Sequence, residues 1–190
     1  RAAVQLAAAA GVAYMLYRLA DGISLSRPLQ VLTSGSEEEA LFSIWRVLQG
    51  EKLYLDLRRM PFAGCYFNWL FYWFYAGAAW MPLRLLGLGD AWLPTVAHLT
   101  TVVLHLGSAL LFIRLGTALR VWPEGWGALP RAATATAALF SLVFGIWTMT
   151  ARPDVAALLL ELAGALCVAS YLRQPRGRHL ALAVAIFFGA

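Results

Sequence analysis

From Ala91 to Ile113 the chain runs without a single Asp, Glu, Lys or Arg, and it does so again from Ala132 to Ala151. Helical runs of about 20 apolar residues match the hydrocarbon thickness of a bilayer, and they are the strongest constraint a sequence can place on its own fold. Val155 to Leu172 is a similar run broken only by Glu161, and Ala2 to Ala20 is another, broken only by Arg18. A further apolar run opens at Leu180 and continues to Ala190. With 61% of 190 residues hydrophobic, 13% charged and a mean hydropathy of +0.68, the composition excludes a water-soluble domain of ordinary kind. The sequence predicts an all-α fold, a polytopic transmembrane helix bundle.

Ala2 to Ala20 exceeds the apolar core of about 7 to 15 residues of a cleavable signal and lacks its cleavage context, so it is expected to be the first span. The chain begins at Arg1 and stops within an apolar run about half as long as a span, from which we expect the N-terminal part of a longer transmembrane domain. Residues 1–20 are then the first span, 21–90 a long exoplasmic loop carrying juxtamembrane helices, and 91–190 further spans. The formal net charge is +5, but the basic residues sit at span ends, where anionic lipid and topology account for them. No nucleic-acid partner is expected. Cys65 and Cys167 show neither a disulfide framework nor metal-ligand spacing, and both are expected to be packing residues.

Met60 to Leu83 leaves the topology open. It carries no charged side chain and is long enough to span, yet it is crowded with aromatic residues that prefer the headgroup level, and Asn68 and Pro82 suit an interfacial helix. If it lies at the surface and the N-terminus is cytoplasmic, the loops holding Arg114, Arg120 and Arg131, and Arg173, Arg176 and Arg178, are both inside. Glu37, Glu38, Glu39 and Asp154 then share the exoplasmic face. If it spans, inverting the chain repairs the charge balance but separates the glutamates from Asp154.

The long loop has an internal order. Ser36 is placed to cap a helix whose first turn holds Glu37, Glu38 and Glu39, where the helix dipole favours acids. Leu41, Ile44, Trp45 and Leu48 recur at helical spacing, as for a helix lying on a bilayer, and Gly50 is expected to stop it. Within the apolar runs, Glu161 lies seven positions beyond Asp154 on one helical face, and a carboxylate inside a span is a functional candidate. His98 and His105, also seven apart, suit packing or interhelical hydrogen bonding better than metal binding.

The sequence Gly35-Ser36-Glu37-Glu38-Glu39, then Ile44 to Gly50, Tyr54-Leu55-Asp56, Pro61-Phe62 and Tyr66 to Tyr72, resembles the first exoplasmic loop of GT-C-type glycosyltransferases. That superfamily includes bacterial lipid A aminoarabinose transferases and protein O-mannosyltransferases. Arg152-Pro153-Asp154 before an apolar span resembles a second element of the same enzymes, so that the likeness covers residues 33 to 160. It implies a transferase of the bacterial inner membrane with an exoplasmic site, taking a sugar from a polyprenyl-phosphate donor to a lipid, glycan or protein acceptor. It also implies that residues 60–83 form a juxtamembrane helix; some members of the superfamily use a divalent cation, while those with this loop type generally do not, so no cofactor is expected. Many relatives have Asp-Glu where this chain has Ser36-Glu37, which moves the expected base to Glu37 or Glu39.

A sugar on a polyprenyl phosphate departs with an anionic leaving group, so the site must take a proton from the acceptor and steady charge on the phosphate. Glu37 is the expected general base, set by its distance from Gly50, with Glu39 in reserve and Glu38 a solvated neighbour. Asp154 would orient the acceptor or complete the acidic site. Arg59 and Arg152, and then Arg58, are expected to hold the donor phosphate, since guanidinium groups grip its oxygens in pairs. Two rival readings remain. A transporter or lipid translocator would use Asp154, Glu161, His98 and His105 to line a path, and a catalytically silent scaffold would keep the fold without the base.

Overall fold

The computed structural model describes residues 36–54, Cys65, 67–139 and 150–189, with scattered positions between Gln5 and Ala20. Among these residues all regular structure is helical. Helix α1 is Ser36–Leu48, α2 is Trp69–Trp80, α3 is Leu93–Ala118, α4 is Ala128–Leu139, α5 is Pro153–Arg173 and α6 is Gly177–Gly189. A π-helical turn, Met81–Leu85, continues α2, and a 3₁₀ turn, Asp90–Trp92, leads into α3. The described positions between 5 and 20 are helical too, although most of the expected first span lies outside the described residues.

Two helical stretches, Asp90–Ala118 with 29 residues and Pro153–Arg173 with 21, are long and apolar enough to cross a membrane. At 1.5 Å per residue the shorter is about 31 Å long, the thickness of the hydrocarbon core. They support membrane association and fall where Ala91–Ile113 and Val155–Leu172 were expected. The run expected from Ala132 to Ala151 opens as α4, and its residues 140–149 lie outside the described set.

The aromatic stretch is not one long helix. Cys65, Phe67 and Asn68 are non-helical, and the Asn68 side chain accepts a 3.0 Å hydrogen bond from the Leu70 N–H, capping α2. Twelve α residues are then continued by five π residues, fewer than the roughly 20 a span requires. Pro82, which has no N–H, sits at the start of the wider turn, and the Leu86 N–H reaches back to the Met81 carbonyl at 3.1 Å. Helix α2 has two unlike sides. Trp69, Trp73 and Trp80 are exposed, whereas Tyr72 and Tyr75, expected with them at the headgroup level, are buried.

The chain divides into two compact units. One comprises residues 21–102 and 149–153, the other residues 1–20, 103–148 and 154–190. In the first, α1 packs against α2, and Ala40, Leu41 and Ile44 are buried in the protein, so the apolar side of α1 does not face a bilayer as its spacing suggested. Helix α1 ends as expected: Gly50 takes a φ of +75°, which glycine alone adopts without strain, and the chain turns. The buried Arg46 guanidinium then holds the returning loop, donating to Glu51 Oε2 at 3.1 Å, to the Leu53 carbonyl at 3.2 Å and to the Lys52 carbonyl.

The second unit is packed differently. Ala109, Ala135 and Leu139 form its centre, with Phe112, Ile113 and Leu158 around them. Trp122 donates from its indole to the Ile113 carbonyl at 3.1 Å and lies so close to Gly116 that a β-carbon there would meet the ring at 2.6 Å. His105 pairs through Nε2 with the Leu139 carbonyl at 2.7 Å, an interhelical hydrogen bond of the kind its position suggested.

Candidate functional site

The three glutamates at the start of α1 diverge because successive helical side chains point about 100° apart. Glu38 is exposed and Glu39 is partly exposed, whereas Glu37 is 0% exposed. The carboxylate ranked first for chemistry is thus the one enclosed by protein.

Glu37 is engaged by distant parts of the chain. Its Oε1 lies 2.7 Å from His98 Nε2, and it accepts the Ala151 N–H at 3.1 Å. His98 is 1% exposed and Ala151 0%. A polar group removed from water costs several kcal/mol unless it is paired, and these three satisfy one another. One turn along α3 from His98, Thr101 donates to the Thr150 carbonyl at 3.1 Å and to its own helix at Ala97, also at 3.1 Å. With that proton directed at carbonyls, the Tyr75 hydroxyl donates to Thr101 Oγ1 at 2.7 Å.

Glu39 faces the aromatic helix. Both of its oxygens accept from the Tyr72 hydroxyl, at 2.8 and 3.0 Å, and Oε1 also accepts from Ser43 Oγ at 2.9 Å. The Tyr72 oxygen in turn accepts the Phe67 N–H at 3.1 Å. Burial is the main reason the Tyr72 phenol is pushed above its ordinary value; the hydrogen bond to Glu39 adds to this, and the Phe67 N–H opposes it. Tyr72 therefore remains a hydroxyl and a donor, fixing the carboxylate of a residue that is itself partly exposed.

At the far end of α1, Trp45 Nε1 and Gln49 Nε2 both donate to Asp90 Oδ2, at 2.9 and 3.0 Å. Arg84 pairs with the other oxygen at 2.8 Å. Asp90 stands in the turn before α3, where a helix N-terminus favours an anion. Helix α1 is thereby tied at both ends by side chains of opposite or complementary polarity.

Of the other expected residues, Arg152 is partly buried and comes directly after Ala151, and its N–H bonds the Thr150 carbonyl at 2.9 Å. Asp154 is exposed in the first turn of α5 and belongs to the other unit. Arg58 and Arg59 lie outside the described residues, as do Asp56, Pro61 and Tyr66. Glu161 is exposed midway along α5. Among the described residues no three His, Cys, Asp or Glu side chains gather to hold a metal ion.

Tyr72, Ser43, Thr101 and the Ala151 N–H were not anticipated. His98 and Thr101, three residues apart on one helix face, were the signal available for the α3 side, and Ala151 acts through its backbone and leaves no side-chain signal. Comparison with family models, with curated proteins and with solved structures gives no match.

Proposed function

We propose that this chain is part of a multi-pass glycosyltransferase of the bacterial inner membrane, moving a sugar from a polyprenyl-phosphate donor to an acceptor hydroxyl or amine at the exoplasmic face. The observation that supports it best is Glu39: a carboxylate in the first turn of a helix, held from two sides by Tyr72 and Ser43 and still partly open. A general base must be both fixed and reachable, and Glu39 combines these hydrogen bonds with partial exposure, whereas Glu37 is enclosed. The acceptor proton passes to the Glu39 carboxylate as the acceptor atom bonds to the sugar's anomeric carbon. The bond from that carbon to the phosphate oxygen breaks, and its electron pair leaves with the phosphate. Arg152, with Arg58 and Arg59, steadies the departing anion.

The exposed tryptophans of α2 favour the same reading, since an interfacial helix would set the carboxylate beside the headgroups from which the donor phosphate protrudes. A path-lining role for the histidines fits less well, because His98 and His105 are buried and engaged with Glu37 and the Leu139 carbonyl. The test is transfer of a radiolabelled sugar from undecaprenyl phosphate by the full-length protein. Glu39→Gln is expected to lower the rate by about 10² to 10⁴-fold with expression unchanged; transfer that persists in this variant sinks the assignment.

A further inference from the structure

The Thr150–Ala151 peptide is gripped on both of its polar groups, and both grips trace to one face of α3. Thr101 donates directly to the Thr150 carbonyl at 3.1 Å, and His98, one turn before it, pairs with Glu37, whose Oε1 accepts the Ala151 N–H at 3.1 Å. In a trans peptide the carbonyl and the N–H point in opposite directions, so the two contacts hold the plane from its two edges. Each grip is itself braced, Thr101 by the Tyr75 hydroxyl at 2.7 Å and Glu37 by His98 at 2.7 Å. Glu37, Thr101, Thr150 and Ala151 are 0% exposed, and Tyr75 and His98 1%. Water does not compete for these bonds, and a buried polar network that is satisfied fixes a unique geometry.

A clamp of this kind fixes the direction of the next residues in the chain. Arg152 is the first of them, its N–H folded back onto the same Thr150 carbonyl at 2.9 Å, and Pro153 then starts α5 with its φ already restricted. The direction in which the Arg152 side chain leaves the backbone is therefore set by Glu37 and Thr101. We infer that Glu37 is a positioning residue rather than a base: with His98 and Thr101 it locks the Thr150–Ala151 peptide so that Arg152 is held ready for an anionic phosphate. The anionic target rests on the transferase reading above; the lock does not.

The two carboxylates then have separate chemistry. In this grip Glu37 acts as an acceptor through Oε1, and glutamine retains an acceptor oxygen, whereas a base needs the carboxylate itself. Likewise Thr101 needs only a hydroxyl, which serine retains and valine lacks at nearly the same shape.

The full-length protein in nanodiscs provides the test, with amide exchange of the 150–152 segment and binding of undecaprenyl phosphate measured on the same preparations. Glu37→Ala and Thr101→Val are expected to speed exchange of the segment by about tenfold or more, while Glu37→Gln and Thr101→Ser stay within about threefold of the parent. Undecaprenyl phosphate should bind about tenfold more weakly in the first two variants and near the parental level in the second two. Arg152→Ala should lose binding to the same degree without altering exchange. Exchange that is unchanged in Glu37→Ala, or raised equally in Glu37→Gln, overturns the lock. Exchange that shows the expected pattern in a protein that does not bind undecaprenyl phosphate leaves the lock standing and removes the phosphate role together with the transferase reading.

Discussion

The unit around α1 and the unit around α4 are both helical and both poor in charge, yet they are held by different forces. In the first, Glu37, Glu39, Arg46, Tyr72, Tyr75 and Thr101 make side-chain hydrogen bonds across 4 to 114 residues of sequence. In the second, alanines and a leucine pack in contact, Trp122 lies against Gly116, and the described polar links of His105, Trp122 and Arg173 run to the backbone carbonyls of Leu139, Ile113 and Ala118. Directional bonds specify orientation, whereas contact packing specifies volume. A site that must place a carboxylate and a guanidinium belongs in the first kind of region, and a frame that must fill a membrane belongs in the second.

That contrast makes the two units respond to opposite kinds of substitution. The largest effect is expected from Glu39→Gln, a change that keeps shape and removes charge: transfer falls by about 10² to 10⁴-fold, while the thermal midpoint of the purified protein hardly moves. A similar loss of midpoint and rate together would show that Glu39 is structural and erase the contrast. In the second unit the sensitive change is one of volume. Gly116→Val drives a side chain into the Trp122 ring and is expected to destabilise by about 1 to 3 kcal/mol in denaturant unfolding. Gly77→Ala, where an added β-carbon meets nothing within 4 Å, should stabilise α2 slightly, by about 0.5 to 1 kcal/mol.

Smaller effects sharpen the polar side. Thr101→Val keeps the volume but removes the hydroxyl donor to the Thr150 carbonyl, which keeps the Arg152 N–H, and about 0.5 to 1.5 kcal/mol of stability should be lost, recovered by Thr101→Ser. Tyr72 gives a pH signature. Its phenol holds its proton more tightly folded than unfolded, so its contribution is complete below the ordinary phenol value of 10.0 and is lost as pH rises beyond it. The native protein should therefore lose stability in alkali more steeply than Tyr72→Phe, measured by denaturant midpoints from pH 8 upward. Equal slopes would mean that Tyr72 is not held as the structure shows.

Much of the frame was legible in the sequence, and the reason is physical. Apolar length located Asp90–Ala118 and Pro153–Arg173, and the acidic first turn and Gly50 located the ends of α1 to within a residue or two, because these signals are local. The site was legible only in outline. The first-turn glutamates could be singled out, but which of them is enclosed depends on what α1 packs against, and helical spacing gives the angle between Glu37 and Glu39 without saying which side meets α3. Tyr72 and Tyr75 were grouped with the headgroup-level aromatics because ring chemistry gives the same preference to all of them; the hydrogen bonds to Glu39 and Thr101 are what separate them from Trp69 and Trp73. The Ala151 N–H carries no residue-type signal at all. Its partner lies 114 residues away, beyond the reach of any local pattern.

The central claim is the division of labour between two neighbouring glutamates: Glu37 holds the backbone and Glu39 takes the proton. The most direct measurement is the rate of sugar transfer from undecaprenyl phosphate by full-length Glu37→Gln and Glu39→Gln proteins, assayed side by side at saturating donor. The account predicts that Glu37→Gln stays within about tenfold of the parent while Glu39→Gln loses about 10²-fold or more. A silent Glu37→Gln protein beside an active Glu39→Gln protein would contradict it.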